Sequence, residues 1–153
     1  MMHRQASFIP AFFPEGVEAG VDYDFFYFPA YATKDLGKPV LGGGTLFAAT
    51  NDNQATMEFL KFLLHPEPNE WWMAKGGFLT PNKNADLSAY SSDTFRKLGE
   101  ILTGATTFRF DASDLMPGAI GAGSFWTGMV DYTNGKSAKD VADAIQASWD
   151  AIK

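Results

Sequence analysis

The stretch Ser124-Phe125-Trp126-Thr127-Gly128-Met129, followed by Asn134-Gly135 and then by Ser137 to Lys153, decides how this chain is read. Small residues, Gly121, Gly123 and Ser124, precede the aromatic pair. A helix opening there leaves Trp126 able to face a cleft as a flat apolar surface. Asn134-Gly135 closes that helix. The next one takes Ser137 as its cap with Asp140 three residues on, a capping-box-like arrangement, and Val141, Ile145, Trp149 and Ile152 form its buried stripe.

Working outward toward the N-terminus, Asp93 to Thr103 is predicted as a helix with Phe95, Leu98 and Leu102 on one face, closed by Gly104. Thr106 to Gly123 is non-periodic, and Gly77 to Asn82 reads as a loop. From Gln54 to Leu64 the apolar positions Ala55, Phe59, Phe62 and Leu63 recur at helical spacing, with Asn51 or Asp52 as cap and Pro66 as stop. A short helix over Asn69 to Lys75 ends at Gly76-Gly77. Val40 to Thr50, entered through Gly42-Gly43-Gly44, predicts a strand, and the aromatic run Tyr23 to Phe28 predicts a buried one ended by Pro29. Lys34 to Pro39 is a polar turn, and residues 1–20 are irregular, broken by Pro10, Pro14, Gly16 and Gly20. Two strands among about five helices make an α/β or α+β chain whose sheet is incomplete.

A chain of 153 residues with 46% hydrophobic and 20% charged residues can form a core, and fourteen phenylalanines leave rings for a surface or cleft. The net charge of −6 argues against a phosphate backbone as partner and fits a neutral ligand or another protein. The absence of cysteine excludes disulfides and thiolate metal sites and leaves the redox compartment open. The N-terminus lacks the apolar run of a signal peptide, and no stretch approaches the ~20 apolar residues of a membrane span. Hydrophobic sequence with Phe8, Ile9, Phe12 and Phe13 begins at once, so the chain reads as a piece of something longer.

Few residues converge on catalytic chemistry. His3 and His65 each stand without a partner at ligand spacing, so no metal site is expected. Asp22 and Asp24 read as solvated charges of a strand. The glycine triplet lacks the following lysine and hydroxyl residue of a phosphate cradle, and it reads either as a tight crossing or as a source of amides for a hydroxylated ligand. In Phe108-Arg109-Phe110-Asp111-Ala112-Ser113-Asp114-Leu115-Met116-Pro117, two carboxylates three residues apart are a formal acid/base pair for glycoside hydrolysis. Their closeness in sequence favours a helix-capping Asp beside a salt-bridged or ligand-bonding one, and no motif supplies a nucleophile or oxyanion donors. Trp126 and Phe8 are the rings that would stack on a pyranose face, while Asp, Asn, Arg and backbone amides take its hydroxyls. Trp71, Trp72 and Trp149 sit on helical stripes and read as core.

Taken in order, Lys38-Pro39-Val40-Leu41-Gly42-Gly43-Gly44, the helix Ala55 to Leu64, Gly76-Gly77-Phe78-Leu79-Thr80-Pro81-Asn82, Asp111 to Pro117, and Ser124-Phe125-Trp126 through Lys153 resemble the C-terminal part of a carbohydrate-binding extracellular solute-binding protein of an ABC transporter, the family of the maltose and α-glucoside binding proteins. The resemblance implies the C-terminal portion of a type II periplasmic-binding-protein fold, two hinged α/β lobes with sugar between them. More than half of the protein, signal sequence included, would then lie outside this chain. Residues 1–40 would belong to one lobe and the crossing, 41–85 to the other lobe, and 86–153 to C-terminal helices packed on both. Trp126 falls where the family places a stacking aromatic, and Phe8 where many members have Gly-x-Trp. Gly43 and Gly44 match the crossing beside the cleft, Asp114 matches a polar position that takes a hydroxyl, and Phe78 and Arg109 complete the candidate ligand-binding set. The closing segment is most similar to α-glucoside-type members. The implied protein is no enzyme, needs no cofactor, and delivers an oligosaccharide to the membrane subunits of a permease from the periplasmic or extracellular side. A hydrolase using Asp111 and Asp114 is one alternative, and the other is an inactive folded fragment, as an oligomer that covers its apolar cleft.

Overall fold

Local sequence signals set most helix ends in the computed structural model, which describes residues 2–29 and 34–153. Helix α1, Gln54–Leu63, begins where the Asn53 side chain accepts the Thr56 N–H at 2.9 Å, so the cap is Asn53 and not Asn51 or Asp52. Pro66 ends that helix and opens the next, α2, Pro66–Lys75, because a proline at the first helical position gives up an N–H that has no partner there anyway. The second helix therefore starts three residues before the predicted Asn69. Its exit runs through Gly76 and Gly77, both at positive φ (82° and 72°), a conformation that glycine adopts without a Cβ penalty. Helix α3, Asp93–Thr103, has the predicted bounds, with Ser92 accepting the Phe95 N–H at 3.3 Å.

Strands β1, Pro39–Gly42, and β2, Thr107–Phe110, form a two-stranded sheet, giving the mixed helix-and-strand architecture expected. β2 lies inside a stretch whose lack of period predicted no element, since four residues are too few to display alternation. A Cβ on Gly42 would lie 3.2 Å from Phe108 Cζ, so a side chain there would require the Phe108 ring to give by a few tenths of an ångström. The strand expected over Val40 to Thr50 stops at this glycine. The buried strand expected over Tyr23 to Phe28 is absent as well. Tyr23 forms a single bridge to Ala19, and Phe26, with no neighbouring strand to cover it, is 67% exposed. The run is anchored elsewhere, by Tyr23 edge-on to Phe13 with centroids 4.8 Å apart and by the Tyr27 hydroxyl donating to the Pro39 carbonyl.

The chain divides into two compact units, Met1–Arg109 and Phe110–Lys153. The core of the first is built from Met73, Ala85 and Tyr90, with Phe78, Leu79, Leu87, Ala89 and Phe95 packed against it. At its centre lies a fully buried polar residue, Thr80. The Thr80 N–H donates to the Tyr90 phenol oxygen at 3.0 Å, and its hydroxyl donates to Asn69 Oδ1 at 2.8 Å while accepting the Asn82 N–H at 3.0 Å. Asn69 Nδ2 in turn donates to the His65 carbonyl at 2.8 Å, and Asn82 Nδ2 to that of Leu64 at 2.8 Å. These bonds satisfy the carbonyls released where α1 gives way to α2 and lock the loop 76–82 over the core. Rings assigned to apolar stripes face outward instead: Trp71 is 56% exposed and tilts against Phe62 at 6.1 Å, and Phe59 and Trp72 are also exposed. The helices bearing them are ten residues long and bury one residue between them, Met73.

In the second unit, helices α4, Trp126–Thr133, and α5, Ala138–Ala151, pack through Gly128, whose Cβ would lie 2.9 Å from Val141 Cγ1 and 3.3 Å from Ile145 Cδ1. The Ser137 side chain accepts the Asp140 N–H at 3.1 Å and donates to its carboxylate at 2.8 Å, so the capping residue and its partner act as predicted. Val141 is buried and Ile145 and Trp149 half-buried, but Ile152 at the end of the stripe is exposed.

Two consequences follow from the close contacts. Gly99 on α3 lies under the Tyr90 ring, where an added Cβ would fall 2.9 Å from Cζ and from the phenol oxygen. Gly99→Ala should therefore destabilise the chain by about 1–3 kcal/mol from overpacking, outweighing the roughly 1 kcal/mol that alanine gains in a helix interior. Urea denaturation reads the sign directly. Burial also raises the Tyr90 phenol above its ordinary value of 10.0, against the smaller opposing effect of the Thr80 N–H. A raised folded value means that this contribution to stability is intact below pH 10.0 and is lost as pH climbs from there through the folded value. Melting temperature should fall over that window more steeply in the parent chain than in Tyr90→Phe.

Candidate functional site

Trp126 is the first residue of α4, with its ring 68% exposed. Its placement starts upstream, where a π-wound stretch, Ala119–Phe125, is kinked at Gly123 (φ −92°, ψ −107°). Ile120 is fully buried in that stretch, and Gly121 is held close to the preceding turn, its absent Cβ position lying 3.0 Å from the Ser113 carbonyl oxygen and 3.2 Å from Met116 Cβ. Across the kink the Trp126 N–H donates to the Gly123 carbonyl. The Thr127 hydroxyl donates to the same oxygen at 3.0 Å, with a longer 3.4 Å contact to the Ser124 carbonyl. With Gly128 locked on α5 two residues later, the ring has a rigid root and an open face.

Of the acidic residues before it, Asp111 does not take the capping role that the sequence suggested. Asp111 accepts both the backbone N–H of Ser113 at 3.0 Å and its hydroxyl at 2.9 Å, so it closes a turn and caps no helix. Those bonds lower its pKa below the ordinary 3.8, the backbone donor contributing most. A general acid for glycoside hydrolysis needs the opposite shift. Asp114, two short turns on, is exposed. Arg109, at the end of the first unit, is also exposed.

In the first unit, Phe8 is 53% exposed and meets Phe12 edge-on at 6.2 Å across a single 3₁₀ turn, Ile9–Phe12. Gly43 and Gly44 follow β1 on exposed backbone, and open space surrounds the position of a Gly44 Cβ. Phe78 stacks on Trp72 with centroids 4.6 Å apart and planes 13° apart, so one of its faces is covered and it also packs on the Met73 core. Among the described residues of this unit, no ring contact or hydrogen bond links Phe8, Gly43, Gly44, Phe78 and Arg109 to one another. Asp22 and Asp24 are exposed, as expected of solvated charges: Asp22 accepts the Glu18 N–H at 2.9 Å, and Asp24 lies 3.9 Å from Lys97. The rings of Trp71 and Phe62 were missed as surface features because helical spacing looks the same whether the face is covered or not. No group of three or more His, Asp or Glu residues able to hold a metal occurs among the described residues.

The depressed Asp111 pKa has a directional outcome. A lowered folded value gives stability that is present above pH 3.8 and lost as pH falls through the folded value, so the Ser113 amide resonance should titrate with a midpoint below 3.8. A midpoint at or above that value would show that the Asp111–Ser113 turn does not persist in solution.

No family model and no solved structure matches the chain. It is 57% identical over 153 residues, 99% of its length and 33% of the relative's, to the alpha-glucosides-binding periplasmic protein AglE of Rhizobium meliloti. It is 40% identical over 148 residues, 97% of its length and 35% of the relative's, to the osmoprotective compounds-binding protein GgtB of Synechocystis sp.. The chain thus spans about a third of the length of the curated relatives it matches.

Proposed function

We infer that the chain is part of a solute-binding protein of an ABC transporter, on the ground that it is 57% and 40% identical to two proteins named as binding proteins. The whole protein binds an oligosaccharide of the α-glucoside class in the periplasm and delivers it to the membrane subunits of an importer. The observation that carries this reading is the outward ring of Trp126 on its rigid root, within a chain 57% identical to a protein named for binding alpha-glucosides. A pyranose presents an apolar face of C–H groups that suits an indole, and a net charge of −6 is compatible with a neutral ligand. Taken unit by unit, the proposed contacts are a hydroxyl partner from Asp114 in the second unit and, in the first, a hydroxyl partner from Arg109, side-chain-free amides from Gly43 and Gly44, and a ring from Phe8.

In this reading the chain contributes to both lobes of a hinged two-lobed protein of type II topology. The division into compact units at Arg109–Phe110 supports a two-body arrangement, although it falls inside the 86–153 region that the resemblance assigns to packed C-terminal helices. Closure of the lobes around the sugar is a shift between two conformations, driven by the ligand's higher affinity for the closed one. No bond is made or broken. Both relatives are named as binding proteins, and the lowered pKa of Asp111 speaks against the hydrolase alternative.

The full-length protein should melt at a higher temperature in the presence of maltose or another α-linked glucoside, and Trp126→Ala should weaken that binding about tenfold or more, the equivalent of ~1.4 kcal/mol of lost stacking. Absence of any stabilisation across a panel of oligosaccharides would overturn the assignment.

A further inference from the structure

Helix α1 is ten residues long and buries none of them. Isolated helices shorter than ~12–15 residues are marginal in water, so a helix this short depends on packing its apolar face. Only part of that face is packed: Leu60 and Leu63 are half-buried, while Phe59 is 55% and Phe62 39% exposed. Phe59 and Phe62 stand three residues apart on one side of the helix, and Phe62 meets Trp71 of α2, itself 56% exposed, with centroids 6.1 Å apart. The three rings form one face, with on the order of 300 Å² open to solvent for side chains of roughly 200 Å² each. The face is also rigid. Asn69 Nδ2 donates to the carbonyls of Leu63 at 3.1 Å and His65 at 2.8 Å, and Asn82 Nδ2 to that of Leu64 at 2.8 Å, which fixes the junction between the two helices. The charges on the neighbouring stripe are already matched, since Lys61 donates to Glu58 at 2.8 Å, so an occupant needs apolar side chains and no compensating charge.

We propose that the face formed by Phe59, Phe62 and Trp71 is an intramolecular seat, covered by apolar side chains from the part of the same polypeptide that lies outside these 153 residues. In the relatives the matched stretch makes up 33% and 35% of the length, so about two thirds of a protein of that size is at hand to supply the cover. A second copy of the chain is the competing occupant. A stable dimer, however, buries about 800 Å² on each partner, well beyond the extent of this face. A segment joined to the same polypeptide incurs no loss of translational and rotational freedom on docking, so a small apolar face suffices to hold it. The seat serves the fold of the whole protein and does not depend on which solute is bound.

Hydroxyl-radical oxidation of the full-length protein without sugar, read at Trp71 by mass spectrometry, tests the seat. In the folded monomer Trp71 should react on the order of tenfold more slowly than in the peptide released by digestion, as a ring packed on all sides does, whereas a Trp71 left at 56% exposure should react only about twofold more slowly. The smaller slowing would overturn the proposal. Sedimentation over the same concentrations separates the two occupants. Protection that persists in the monomer supports the intramolecular seat, and protection confined to a dimer and lost on dilution assigns the face to a second copy and overturns it. Failure of the seat leaves the sugar reading untouched, since that reading falls only on the melting response to oligosaccharides.

Discussion

The buried hydroxyl and amide of Thr80 hold the first unit together. A polar residue at zero exposure is tolerable only when each of its groups is matched, and here its N–H, its hydroxyl hydrogen and its hydroxyl oxygen all have partners between 2.8 and 3.0 Å. Through Tyr90, Asn69 and Asn82 those bonds reach the α1–α2 junction, the loop 76–82 and the ring over α3. A network this short is unforgiving: replacing one member strands the others in a desolvated site. That network holds the Tyr90 ring against α3, where Gly99 leaves it room.

The second unit solves a different problem with fewer polar contacts. Its task is to hold an indole in the open, which hydrophobic burial opposes, so the fixing must come from the backbone around the ring. Gly121 seats the incoming segment against the 113–116 turn, Gly128 seats α4 against α5, and the Thr127 hydroxyl bridges the kink between them. Side-chain-free contacts are close and stiff, and they leave the ring itself untouched.

How much of this could be read from the sequence depended on whether a local signal determined the outcome. Gly104 after α3, and Ser137 with Asp140 at α5, act through groups within a few residues, and the structure matches them. The aromatic run Tyr23 to Phe28 failed because a strand is defined by a partner, and strand-forming residues do not reveal one. β2 was invisible for the complementary reason: four residues acquire their identity from pairing with β1. At the site, the exposure of Trp126 was legible from the small residues before it. The Thr80 network was not, because it joins Asn69, Thr80, Asn82 and Tyr90 across a loop whose path no residue pattern specifies. The role of Asp111 was misjudged between two local uses of one side chain, a helix cap and a turn closed on Ser113, which compete on nearly equal terms.

The electrostatics of the second unit argue for binding without chemistry. Catalysis by paired carboxylates requires one of them to hold its proton near neutrality, which burial or a like charge must enforce. Asp111 instead accepts two hydrogen bonds from Ser113 that favour its ionised form, and Asp114 is exposed on the following turns. The ionised form of Asp111 that those bonds favour acts only as an acceptor. In the proposed sugar-binding reading, stacking on the Trp126 face would set where a hydroxylated ring lies, and charge-assisted hydrogen bonds would decide which hydroxyls are tolerated. What such a surface lacks on its own is exclusion of water, without which those hydrogen bonds compete with solvent at little net gain. In that reading, the ring and an acceptor would therefore discriminate among ligands only once water is excluded from them.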